Sequence, residues 1–336
     1  MFRYVVSRLV TAAAMAVLAT LIVFLISNVV PGDPVLAQLG DVAASNPATV
    51  AEWRAKWGMD LPIWDRYEIF LRGLAHGDLG LSIATRRPVL DDIEQYAPAT
   101  IELATVSFAL SIIVGIPLGI AAAVKRDGWV DSLARAISLL GVSAPTFWLA
   151  FIMLAIFYGG LEWAPGPGRL DPMAFPAEGP TGLLLIDSLW HADWDTFRDS
   201  AAHLVLPSIV LAAGALGLIT RTTRAAMLES LQQDYIRVSR AKGLRELVIV
   251  VRHALPNALI PVVTLGGLAY ANLLAGAVMT ETVFSWPGLG RYTFRSAAAQ
   301  DFPAIMGITL VVSATYLLVN LVVDLSYAAL DPRVRR

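Results

Sequence analysis

The sequence predicts an all-α integral membrane protein with six transmembrane helices, and three observations carry that prediction. Apolar and aromatic residues fill 57% of the 336 positions, more than the roughly 45–50% of soluble domains, a figure that even counts glycine. They gather into six runs, 9–30, 99–124, 134–158, 204–219, 258–279 and 305–329, mostly long enough for the about 20 helical residues a hydrocarbon core requires. Basic residues cluster on alternate connections between those runs, the pattern that fixes how a chain threads a bilayer.

The first run follows Arg3 and Arg8. Its apolar core exceeds the roughly 7–15 residues of a cleaved leader, so it is read as a retained helix despite a passable cleavage pattern at Val35, Leu36 and Ala37. Connection 31–98 is too long for a simple linker. Trp53, Trp57, Leu61, Trp64, Tyr67, Phe70 and Leu71 recur there at helical intervals, with turn signals at Gly58 and at Gly77 and Asp78, which predicts a small helical cap. Pro117, Pro145 and Pro261 fall inside the second, third and fifth runs. A proline there kinks a span and frees a carbonyl that neighbours or water must satisfy.

The fourth run is the shortest. Before it, connection 159–203 is rich in Pro and Gly as far as Gly182 and then carries Trp190 and Trp194, suited to headgroup-level anchoring. The chain divides into 1–30, the N-terminus and first helix; 31–98, the cap; and 99–336, a core with helices two to six that includes the basic loop 221–256.

Charge sets the orientation. Arg3 and Arg8, then Lys125, Arg126 and Arg135, then seven basic residues from Arg221 to Arg252, then Arg333, Arg335 and Arg336 all fall on one side. Asp91, Asp92, Glu94, Asp187, Asp193, Asp195 and Asp199 fall on the other. Cytoplasmic loops carry the excess of Lys and Arg, so both termini are expected in the cytoplasm. The net charge of −2 hides this asymmetry.

Catalytic chemistry is not signalled. No Gly-rich loop leads into Lys and Ser or Thr, so nucleotide binding by that route is not expected. His76, His191, His203 and His253 lack ligand spacing, no serine sits in a nucleophile elbow, and cysteine is absent. No catalytic, cofactor-binding or metal-binding residue is therefore expected in this chain.

Glu102 and Asp324 lie near span ends, where a carboxylate reaches water or a partner, and a structural role is expected for Asp324. Gly115, Gly119, Gly214, Gly217, Gly266, Gly267 and Gly276 allow either close helix packing or room for a pathway. Ser143, Thr146, Thr264, Tyr270 and Asn272 suit a weakly polar pathway lining.

The segment 229–256 is the most structured connection. Leu228, Leu231, Tyr235 and Val238 have the spacing of one helix face, Arg237, Arg240 and Lys242 crowd the helix end, and Gly243 suits a left-handed cap. A second short helix is expected over 245–254, with Pro256 starting the next span. Beyond the fifth run, Phe284, Trp286 and Leu289, broken by Pro287, Gly288 and Gly290, read as an apolar turn near the opposite mouth, either a gate or an anchor.

Gly243 followed, nine residues on, by His253-Ala254-Leu255-Pro256 resembles the loop signature of permease subunits in bacterial binding-protein-dependent ABC importers. YIRVSRAKGL, RHALPNALIPVVT and ETVFSWPGLGRY are similar to the dipeptide and oligopeptide group of that family. So are VVPGDP, HGDLGLS, PATIELA, GIPLGI, HLVLPS and VNLVVDLSYAALDPRVR, which spread the resemblance over the full length. Arg237-Val238-Ser239 departs from the Glu-Ala-Ala that opens the general signature, and His253 from its Ile; the peptide group departs at the same places.

The resemblance implies the type I ABC importer permease fold, with the cap between helices 1 and 2 outside a bacterial cytoplasmic (inner) membrane. It implies half of a translocation pathway, shared as a heterodimer with a second related permease. It also implies two cytoplasmic ATPases, which bind ATP and magnesium, and an extracytoplasmic solute-binding protein, with no nucleic acid involved. Arg237, Ser239, Ala241, Lys242, Gly243 and Leu244 would form the ATPase-docking surface, with His253 and Pro256 connecting it to the fifth span. Peptides are the expected solute; nickel chelates, opines and oligosaccharides are alternatives. An ion-coupled secondary transporter is the reading from another class.

Overall fold

A computed structural model describes residues 2–29, 46–48, 50–51, 61–175 and 179–330. The expectations for Val35, Leu36, Ala37, Trp53, Trp57, Gly58, Arg333, Arg335 and Arg336 lie outside the described residues, as do those for the side chains of Arg3 and Asp324. Among the described residues the architecture is helical, with one isolated antiparallel bridge between Leu81 and Pro88.

Helix α1 (Phe2–Val29) is followed by α2 (Ile63–Ala75), which belongs to the expected cap. Tyr67 of α2 reaches Thr20 of α1 with hydroxyls 2.8 Å apart, and the Phe24 ring stands 5.2 Å from that of Tyr67. Beyond α2 the chain is buckled down at its exit. Ser82 Oγ and the Ala84 N–H donate to Asp301 Oδ2 at 2.5 and 3.0 Å, and Tyr292 Oη donates to Asp92 Oδ2 at 2.9 Å.

Helix α3 (Val89–Val124) contains Pro98 and Pro117 yet runs unbroken. The third expected span behaves differently: α4 (Trp129–Ser143) and α5 (Thr146–Gly160) meet at 109°. Pro145 disfavours the helical conformation of the residue before it, and Ala144 is extended at φ −74°, ψ 129°. The expected kink is therefore a near right-angle turn.

After α6 (Leu184–Trp190) comes α7 (Trp194–Leu231), 38 residues long. The fourth run, shortest in the sequence, is thus only the middle of the longest helix. Its flanks are polar, and hydropathy does not register them as span. The Asp193 carboxylate caps its start, accepting from the Thr196 N–H at 3.0 Å.

Helix α7 packs closely against both α3 and α4. A methyl group at Gly119 of α3 would lie 2.7 Å from the Thr220 carbonyl oxygen, and one at Gly217 of α7 would lie 2.6 Å from the Ser138 carbonyl oxygen of α4. These glycines set the closeness of the helices. Ser111 Oγ also donates across the joint to the Ala212 carbonyl at 3.3 Å. Helix α8 (Asp234–Ala241) leads into α9 (Glu246–Gly276), then α10 (Val278–Val283), α11 (Leu289–Ala298) and α12 (Phe302–Leu330). Among the described residues five helices are long and apolar enough to cross a membrane, and the count is six when the bent α4–α5 pair is taken as one span.

Candidate functional site

Two regions concentrate the chemistry at opposite ends of the bundle. The basic end is built around α8. Helix α7 stops at Leu231, Gln232 and Gln233 turn the chain, and α8 starts at Asp234. Leu228 and Leu231 therefore do not share a helix with Tyr235 and Val238, contrary to the single amphipathic helix expected.

The side chain that anchors α8 is Ile236. It is fully buried among Met227, Ile249, Ala254 and Ala258. Tyr235 Oη lies 2.7 Å from Ser230 Oγ and accepts from Asn257 Nδ2 at 2.9 Å, tying α8 to both flanking helices. Gly243 then turns the chain at φ +77°, where a side chain would meet nothing but would strain the backbone. Arg240 Nε donates to Glu246 Oε1 at 2.6 Å across that turn.

The second helix does not end before Pro256. Helix α9 runs from Glu246 through Pro256 without a break, and Ile249–Ala254 is wound as π-helix. The wider turn accommodates the missing N–H and the ring that would crowd an α-helix. The second half of the loop and the fifth span are thus one continuous helix.

Of the residues expected to dock, Arg237, Ala241, Lys242, Gly243, Leu244 and Pro256 are exposed, and His253 is half-buried. Ser239 faces inward, its Oγ donating to the Tyr235 carbonyl at 2.8 Å. Exposed apolar side chains at Val238, Leu247 and Val251 adjoin this set, and Leu247 is 74% exposed.

The opposite, acidic end is organised by residues 281–292. Phe284, Trp286 and Leu289 are all buried, each in a different cluster. Trp286 enters the main core with Leu103 and Leu204 and donates Nε1–H to the Ala99 carbonyl at 2.9 Å. Phe284 packs with Ala150 and Leu206, and Leu289 with Val89 and Ile308. This segment pins three apolar clusters together.

Beneath it Glu281 is fully buried. Its carboxylate accepts from Thr100 Oγ1 at 2.6 Å and from the Arg291 N–H at 2.9 Å. A methyl group at Gly288 would lie 2.5 Å from the Glu281 carboxyl carbon, so the glycine leaves the space that the carboxyl fills. Burial outweighs those donors and pushes the Glu281 carboxyl up to about 7. Glu281 lies beyond the fifth apolar run, which ends at Met279.

The five polar residues expected to line a pathway do not converge. Thr146 and Asn272 line one cavity of about 290 Å³ with Gly141, Gly214 and Leu273, at the α4–α5 bend. Ser143 is exposed beside it, between the lining residues Val142 and Ala144. Thr264 lines a separate space of about 230 Å³ between α1, α9 and α12, and Tyr270 Oη lies 3.0 Å from Thr105 Oγ1, its ring against Phe108.

Two ion pairs escaped the sequence reading. Asp131, fully buried at the start of α4, accepts from Arg224 Nε at 2.6 Å and Nη2 at 2.7 Å. Glu102 was visible as a charge near a span end, but its partner Arg169 lies in a connection with no periodic signal. Among the described residues no cluster could hold a metal ion.

Comparison with known proteins matches residues 115–336 to the binding-protein-dependent transport system inner membrane component, and residues 1–104 to the N-terminal part of such membrane components. The chain is 47% identical to the probable D,D-dipeptide transport system permease protein DdpB of Escherichia coli (strain K12), over 94% of this chain and 92% of that one. It is 41% identical to the dipeptide transport system permease protein DppB of Alkalihalophilus pseudofirmus, over 100% of both chains. The Escherichia coli (strain K12) dipeptide permease protein DppB is 40% identical over 100% of this chain and 99% of its own. An inward-facing MetNI methionine ABC transporter matches with a TM-score of 0.49 at 21% identity, covering 69% of this chain and 93% of that one.

Proposed function

The chain belongs to the binding-protein-dependent transport system inner membrane components, and from that premise we propose that it is one of two related permease subunits of an ATP-driven peptide importer. It contributes half of the translocation pathway. Two ATPases, which bind ATP and magnesium, dock on the basic end in the cytoplasm. A solute-binding protein delivers di- or oligopeptides to the acidic end outside a bacterial inner membrane. The peptide assignment rests on relatives at 40–47% identity that carry dipeptide transport names.

The observation that carries the coupling role is the construction of α8. Ile236 fastens it inward, while Val238, Leu244 and Leu247 stand exposed at a basic, Gly-turned tip. Apolar side chains exposed on a rigid helix suit burial in a partner groove. Because α9 continues without a break from that tip into a span, a groove that closes around α8 moves the span with it.

The test is reconstitution of the complex in liposomes. Peptide-loaded binding protein should stimulate ATP hydrolysis and uptake. Leu247→Glu should lower both by about tenfold or more, since a carboxylate buried in an apolar groove is costly. Wild-type uptake by that variant would refute docking through this surface.

A further inference from the structure

Residues 161–175 and 179–183, read in the sequence only as Pro- and Gly-rich, lie across the acidic end like a strap. Glu102 of α3, buried beneath it, requires a partner because an isolated buried carboxylate is unstable. Arg169 of the strap supplies one, donating from Nε at 3.1 Å and Nη2 at 2.6 Å to Glu102 Oε2. The same Nη2 donates to the Gly182 carbonyl at 2.9 Å, and the guanidinium lies 5.9 Å from the Trp286 ring centre. The Leu185 N–H satisfies Glu102 Oε1 at 2.8 Å, and the Gly168 N–H donates to the Phe284 carbonyl at 2.9 Å.

One loop thus holds both α3 and the segment carrying Phe284 and Trp286. Any opening of this end must part α3 from that segment or lift the strap off both. The other ties across the joint, Thr100 to Glu281 and Trp286 to Ala99, are fully enclosed, whereas Arg169 keeps partial access to solvent. A buried ion pair that is intact in one state and broken in the other biases a two-state element strongly.

We propose that the Arg169–Glu102 pair is a latch that keeps the acidic end closed, and that the strap must lift from α3 before solute enters. This rests on the importer reading above. Docking of the loaded binding protein supplies the free energy for release. Without the latch, the complex samples the opened state, and so hydrolyses ATP, with no binding protein present.

This chain contributes no native cysteine to the test. Gly182 sits at φ +70°, which strains any side chain, and a Cβ there would lie 3.1 Å from that of Pro98, a little under the about 3.5–4.5 Å of a disulfide. The Pro98→Cys, Gly182→Cys double variant should lose uptake by about tenfold or more when oxidised and regain it on reduction, each preparation serving as its own folding control. Arg169→Met should raise ATP hydrolysis without binding protein by roughly threefold or more, with Glu102→Gln read in its place if that variant fails to assemble.

A merely structural pair would lower activity rather than raise it. Uptake by the oxidised form at the reduced rate, or unraised hydrolysis in the latch variants, overturns the latch. Failure of loaded binding protein to stimulate the wild-type complex overturns the importer reading instead.

Discussion

At the scale of the residue, the glycines of the 281–292 segment are set by what stands opposite them. A methyl group at Gly290 would lie 2.6 Å from Val278 Cα and 2.8 Å from its nitrogen, backbone atoms that cannot rotate aside. Gly290→Ala should cost about 1–3 kcal/mol and lower the thermal midpoint of the purified protein. Gly276→Ala meets nothing within 4 Å, so it should be neutral or stabilising by about 0.4–1 kcal/mol.

Glu281 adds a pH dependence. Its carboxyl is raised from 4.5 to about 7 by burial, so between those values the folded state holds a proton that the unfolded state has released. Stability from this group is full below about 4.5 and is lost as pH rises towards 7. The wild-type midpoint should therefore fall across pH 5–7 relative to Glu281→Gln; parallel profiles would sink the account. The sequence shows Pro-Gly-Leu-Gly as a turn but not as space cleared for a carboxyl seven residues earlier, because that fit exists only once α10 and α11 face each other.

At the scale of the element, hydrophobic runs show where helices cross and say little about where they end. The fourth run and α7 share a centre, but polar flanks capped by Asp193 extend the helix to 38 residues. Pro117 and Pro145 look alike in the sequence; one is absorbed in α3, and the other ends α4 at a 109° turn. What distinguishes them is packing, since α3 is in close contact with α7 at Gly115 and Gly119 on either side of Pro117.

The basic loop was legible as a structured element with a turn at Gly243, but its buried face was misread. The periodic residues Tyr235 and Val238 are exposed, and Ile236 is the anchor. Ile236→Ala should therefore destabilise by about 2–5 kcal/mol. Leu247→Glu, at an exposed position, should stay within about 0.5 kcal/mol while lowering coupled uptake by about tenfold or more. Thermal midpoints of the two solubilised variants separate anchor from docking surface; equal losses would merge them.

At the scale of the whole molecule, the six crossings were readable because hydrocarbon imposes one length on every span, whereas polar partners meet only after folding. Asp131 with Arg224 and Glu102 with Arg169 join residues 93 and 67 positions apart, and periodicity carries no information at such range. Orientation lies between these cases: it follows from summed charge without any contact, and the structure adds two addressable sites to test it. Lys242 stands exposed at the basic tip, and Met173, 80% exposed, at the acidic end. Because the chain lacks cysteine, Lys242→Cys and Met173→Cys each offer a membrane-impermeant maleimide a single thiol. Met173→Cys should react in intact spheroplasts and Lys242→Cys only in inverted vesicles stripped of ATPase, the pattern expected when the excess of Lys and Arg marks the cytoplasmic side. The reverse pattern would place the docking surface outside, away from any ATPase, and would remove the ground for the importer reading together with the inside-outside assignment of both ends.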